Sequence, residues 1–219
     1  MIGRSRKVYT NQSGPHARLT EVVTRHRARP WRKPVRDRNR RAFADLAQNG
    51  PQSRLILDSG CGTGVSTLEL ARRFPDCRVV GVDKSAHRLA RTPDGLPPNA
   101  LLVRMELEDF WRLAQAAGWK PDQHWILYPN PWPKAAHLKR RWHGHPVFPH
   151  LLALGGRLVV RSNWRIYLEE FSRALVLAGH AGGVIMPVEQ IGDASPFERK
   201  YRASGQPVFE LIADLEARP

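Results

Sequence analysis

A short apolar run, Arg54-Leu55-Ile56-Leu57-Asp58, leads into Ser59-Gly60-Cys61-Gly62-Thr63-Gly64, and residues 65–74 then adopt helical spacing, with Leu68, Ala71 and Phe74 near one face. A buried strand, a glycine turn and a helix in immediate succession leave the chain few options. This is the opening of a βαβ unit, which requires a parallel partner strand for the first one. Glycine lets the backbone turn sharply there and lets a ligand approach the main chain closely.

The remaining sequence continues that alternation. Strands are expected over 77–83, 100–105, 123–128, 156–162 and 207–215, and helices over 85–92 (Ser85 as N-cap), 107–118 and 165–179. Residues 38–48 suit a short helix ended by Asn49-Gly50-Pro51. The fold class is α/β: a mainly parallel central sheet flanked by helices, with a domain over residues 46–219 behind a basic N-terminal arm over 1–45.

Charge marks that arm out. The chain has 219 residues and a formal charge of +15, and residues 1–50 hold thirteen of its 35 Lys and Arg against three of its 20 acidic residues. Gly, Pro, Asn and Ser interrupt them, so residues 1–40 read as irregular and partly disordered without a partner. A clustered cationic field interleaved with aromatic and Pro residues favours a polyanion as partner. Two cysteines, Cys61 and Cys77, imply no disulfide framework, and no apolar run is long enough for a membrane span. The expected location is cytoplasmic.

The second strand ends in Asp83, nineteen residues after Gly64, where a carboxylate can accept both hydroxyls of a ribose. The glycine spacing is GxGxG rather than the GxGxxG of dinucleotide binders. Together with Asp58 ahead of the loop it resembles the S-adenosylmethionine-dependent methyltransferase signature. Glu106, just after the third strand, falls where that class commonly places an acidic residue near the adenine. The candidate cofactor residues are therefore Asp58, Gly60, Gly62, Gly64, Asp83 and Glu106.

The fourth strand runs into Pro129-Asn130-Pro131-Trp132-Pro133-Lys134, then Ala135-Ala136-His137-Leu138-Lys139-Arg140-Arg141. Ends of central strands are where α/β sheets build sites. Prolines stiffen this segment, Trp132 can stack on a base, and the basic run can grip phosphates. Here the chain resembles the bacterial tRNA (guanine-N7)-methyltransferase family, which carries PDPWxK followed by HxKRR. Two more family segments match: T-D-W-x-x-Y is read as Ser162-Asn163-Trp164-Arg165-Ile166-Tyr167, and T-x-F-E with a later Arg and Gly as Ser195-Pro196-Phe197-Glu198, Lys200 and Gly205. The resemblance covers about residues 54–215.

That resemblance implies a Rossmann-like class I methyltransferase, monomeric or a small homo-oligomer. It would use S-adenosylmethionine to methylate N7 of a guanine in the variable loop of tRNA, at guanine 46. It also implies roles: Glu198, Asn130 and Asn163 for catalysis, Trp132 and Ser195 in the guanine pocket, and Lys134, His137, Lys139, Arg140 and Arg141 on the tRNA backbone. Two carboxylates of the family pattern are Asn130 and Asn163 here, and the family His after Gly205 is Gln206. This leaves two alternatives: a methyltransferase aimed at an exocyclic amine of RNA, or an RNA-binding homologue with impaired catalysis. Asn163 has a second reading as the cap of the helix near Arg165. His143, His145 and His150 lack the spacing of a metal site, and Trp31, Trp111, Trp119 and Trp125 read as core or interface.

Overall fold

The computed structural model describes residues 5, 7–48, 54–188 and 195–215. Seven strands form one sheet: β1 (Leu55–Ser59), β2 (Arg78–Asp83), β3 (Ala100–Arg104), β4 (Gln123–Leu127), β5 (Arg157–Ser162), β6 (Val184–Pro187) and β7 (Phe209–Asp214). Their order is β3-β2-β1-β4-β5-β7-β6. The first five are parallel, and β7 is antiparallel to both β5 and β6. Strand order reverses between β1 and β4, so a crevice opens at their carboxyl ends.

β1 is buried on both faces, which is why it reads as a continuous apolar run. Leu55 and Leu57 enter one layer with Val80, Val82, Leu158 and Val160; Ile56 enters the other with Val79 and Val159. Helix α3 (Val65–Arg73) follows the glycine turn, with left-handed Gly64 (φ +75°) at its N-cap. Gly81 lets α3 sit close to β2: a Cβ there would lie 2.2 Å from Thr67 Oγ1.

The other helices are α1 (Leu19–Ala28), α2 (Asp37–Gln48), α4 (Ala86–Leu89), α5 (Leu107–Ala116), α6 (Phe148–Ala153), α7 (Arg165–Leu177) and α8 (Pro196–Ala203). The six sequence-read strands and the helices expected over 38–48, 65–74, 85–92, 107–118 and 165–179 are present, with ends shifted by a few residues. The Asn49-Gly50-Pro51 stop lies outside the described residues.

The irregular arm expected over residues 1–40 needs correction. It contains α1 and the start of α2, and Leu19, Val22, Val23 and Phe43 are buried in the main core. Three apolar residues at i, i+3 and i+4 make a narrow stripe, and α7 and α6 supply the surface that covers it. Among the described residues no helix is long and apolar enough to cross a membrane.

Candidate active site

A cleft of about 660 Å³ opens at the carboxyl ends of the parallel strands. Ser59 and Gly60 line it from the glycine turn, Asp83 and Arg88 from the end of β2 and α4, and residues Tyr128 to Trp132 from the segment after β4. Lys139, Arg140, Phe197 and Tyr201 also border it. Segments far apart in the chain thus share one cavity.

The glycine turn is held from within. Gly60 and Cys61 N–H donate to Val82 O (2.8 and 3.1 Å), Gly64 N–H donates to Cys61 O (3.0 Å), and Gly62 N–H donates to Asp83 Oδ2 (3.1 Å). Asp83 Oδ1 accepts from Ser85 N–H and pairs with the Arg88 guanidinium (3.1 Å) at the cleft wall. Asp58 is fully buried. Its Oδ2 accepts from Ser66 and Thr67 hydroxyls (2.6 and 2.7 Å), which ties β1 to α3, and its Oδ1 has no partner among the described residues. These residues suit an adenosine-type cofactor: a bare glycine turn, an acidic group at the end of β2 and a cleft beside both.

Glu106 is placed differently from expectation. Its carboxylate is engaged by Arg38, by Asn39 Nδ2 (2.8 Å) and by Arg36 (3.6 Å), so it fastens α2 to α5. Leu107 and Glu108, its neighbours, line the cleft.

The segment after β4 has an unusual backbone. Tyr128 and Trp132 adopt positive φ (+52° and +46°), a region costly for bulky side chains. Both precede proline, which disfavours the right-handed helical region. Asn130 is exposed at the cleft, with Oδ1 accepting from Trp132 N–H (3.3 Å). Arg140 lies 4.8 Å over the Trp132 ring and His137 meets that ring edge-on at 5.4 Å. Slight desolvation, then the cations Arg140 and Lys134, lower the His137 pKa from its ordinary value. Lys134, Lys139 and Arg140 are exposed.

Arg141 contradicts its sequence assignment as a phosphate contact, because its side chain is 0% exposed. It bonds Glu170 (2.5 and 2.7 Å), Gln12 Oε1 (2.5 Å) and the carbonyls of Trp132 and Lys134. Glu170 also accepts from His16 N–H (2.9 Å), Gln12 Nε2 (3.1 Å) and His143 Nε2 (2.8 Å). Thr10 Oγ1 donates to Pro133 O (2.9 Å). A buried clamp therefore joins the N-terminal segment to the Trp132 loop. Burial alone would raise the Glu170 pKa, but His143 and Arg141 hold it down to about 2.

Glu198 is also 0% exposed. Its Oε2 accepts from Tyr128 Oη (2.7 Å) and from Arg161 (3.1 Å), while Oε1 has no partner among the described residues. Arg161 pairs with Glu210 as well (2.6 Å), so two carboxylates surround one guanidinium. Ser195 is the N-cap of α8, accepting from Glu198 N–H (3.1 Å). Asn163 neither caps α7 nor lines the cleft. Trp164 is that N-cap, and Asn163 Nδ2 donates to Gln206 Oε1 (2.8 Å), so two departures from the family pattern bond each other.

An aromatic wall of the cleft was not apparent from the sequence. Tyr128 and Tyr201 centroids are 5.4 Å apart, and Phe197, 47% exposed, stacks on Tyr201. Phe197 stands inside the Ser195-Pro196-Phe197-Glu198 segment; Tyr201 follows one helical turn later, and that spacing was the available signal.

A methyltransferase-domain family model matches residues 56–119. The chain is 32% identical to the tRNA (guanine-N(7)-)-methyltransferase of Nitrosococcus oceani over 175 residues, covering 75% of this chain and 71% of that one. It is 28% identical to the like-named enzyme of Leifsonia xyli, covering 74% and 75%. Among solved structures, a mutant of the 16S rRNA (adenine(1408)-N(1))-methyltransferase from Catenulisporales acidiphilia with cosubstrate SAM superposes with TM-score 0.53 at 20% identity, covering 84% of this chain and 92% of that one. The latter likeness shows the fold.

Proposed function

The chain belongs to the tRNA (guanine-N(7)-)-methyltransferase family, and from that membership we infer that it transfers the methyl group of S-adenosylmethionine to N7 of a guanine in tRNA, at guanine 46 of the variable loop, in the cytoplasm. The observation that carries this reading is the shared cleft. The glycine turn with Asp83, and the Trp132 segment with its cationic border, line the same cavity.

S-adenosylmethionine, when bound, supplies an electrophilic sulfonium methyl. Asp83 is the residue to accept the ribose hydroxyls, exchanging its Arg88 partner, and Gly60 and Gly62 leave room for the nucleoside. N7 of guanine carries a lone pair and no proton, so this chain needs no general base. Its task is to hold the purine in line and exclude water. Trp132 and the Tyr128–Tyr201–Phe197 wall offer apolar faces for the base. Lys134, Lys139 and Arg140 meet phosphates.

Attack leaves positive charge on the purine. Glu198 opposes that charge from behind the wall, one hydrogen bond from cleft-lining Tyr128. The exposed Asn130 amide is positioned to contact the base edge, and Ser195 acts by fixing Glu198. The test is nucleoside mass spectrometry of tRNA incubated with the protein and labelled cofactor. Label in 7-methylguanosine is expected; label on an exocyclic amine, or none, would overturn the reading.

A further inference from the structure

Ser59, at the end of β1, sits in a buried polar cluster that the reaction as described above does not use. Trp111 Nε1 donates to Ser59 Oγ at 3.0 Å, and His124 Nε2 lies 2.7 Å from the same oxygen. His124 is fully buried, its Nδ1 has no partner among the described residues, and burial pushes its pKa down to about 3. The ring is therefore neutral and carries one N–H. Were that proton on Nδ1, a buried donor would be orphaned. On Nε2 it donates to Ser59, and only an acceptor is left bare; buried N–H groups are orphaned less often than acceptors.

In that tautomer Ser59 Oγ accepts two hydrogen bonds, which occupies both lone pairs. Its own proton then has no partner in the cluster, and Ser59 lines the cleft. The N–H groups of residues 60, 61, 62 and 64 are already bonded within the turn or to Val82 and Asp83. That leaves the Ser59 hydroxyl, beside the N–H groups of Thr63 and of the first turn of α3, as a donor open to a ligand carboxylate at the turn. We propose that the Ser59 hydroxyl, aimed by Trp111 and His124, donates to the α-carboxylate of the cofactor's amino-acid tail, and so makes Ser59 a tail-recognition residue. The proposal rests on the cofactor reading above.

The test is calorimetric titration of the full chain with two probes, S-adenosylhomocysteine, which has the tail, and 5′-methylthioadenosine, which lacks it. Ser59→Ala is expected to weaken the first by about tenfold and leave the second unchanged, and Ser59→Thr to recover most of the loss. Equal weakening of both probes, or no change in either, overturns the proposal. Failure of the wild type to bind S-adenosylhomocysteine overturns the cofactor reading itself. Nitrogen-15 NMR gives a readout independent of binding: His124 protonated on Nε2 supports the arrangement, and on Nδ1 refutes it.

Discussion

Asp58 shows how one side chain can sit in a family motif and still serve the scaffold. Its carboxylate is buried behind the glycine turn, bonded to Ser66 and Thr67. Burial, opposed by those two hydroxyls, raises its pKa to about 6. An unfolded Asp titrates near roughly 3.9, so the folded state binds this proton more tightly. The associated stability is whole below pH ~4 and is lost as pH rises through about 6. Asp58→Asn avoids that loss. Its stability relative to wild type, from urea melts, is expected to improve by on the order of 1–3 kcal/mol between about pH 4 and 7.5. A constant difference across that range would mean that Asp58 stays ionised throughout. The Asp was visible as a motif residue; its dry environment was not, since Ser66 and Thr67 face it only once α3 packs on β2.

At the scale of elements, the N-terminal segment is the main revision. Its cations read as an RNA-binding arm, yet Arg36 and Arg38 hold Glu106, Arg27 bonds Leu177 O, and Gln12 and His16 reach Glu170. Deleting residues 1–40 would thus strip the core of Leu19, Val22 and Val23, and RNA and cofactor binding are both expected to fail with the fold. Glu170→Gln is the finer probe. Breaking a buried ion pair costs about 3–5 kcal/mol, so a large drop in thermal stability is expected. Faster limited proteolysis between residues 7 and 18 should accompany it, and an unchanged cleavage rate would show that the clamp does not hold the segment. The charge pattern of residues 1–40 was legible, but its partners were not, because Glu106, Leu177 and Glu170 lie far away in sequence.

Across the whole molecule, the +15 charge divides between internal anchors and a free surface. Arg140 and Arg141 are adjacent in the chain and differ completely in exposure. Lys139→Ala and Arg140→Ala are expected to weaken tRNA binding and each to reduce the slope of log affinity against log salt by roughly 0.7–0.9, with thermal stability unchanged. Arg141→Ala is expected to act the other way round, lowering stability through uncompensated Glu170 while leaving the slope of the folded fraction alone. Equal slopes for all three variants would return Arg141 to the RNA surface.

The sheet, its crossover helices, the glycine turn and the Trp132 segment were written in local order. Apolar runs, glycine spacing and proline act over a few residues, and each announces itself along the chain. Burial is a property of the assembled molecule. Only tertiary packing decided that Arg141 and Glu198 are inside, that Asn163 bonds Gln206, and that a basic, proline-broken N-terminus folds as helices, α1 against α6 and α7 and α2 against α5. The surfaces that desolvate these groups come from segments up to about two hundred residues apart, and no local pattern carries that information.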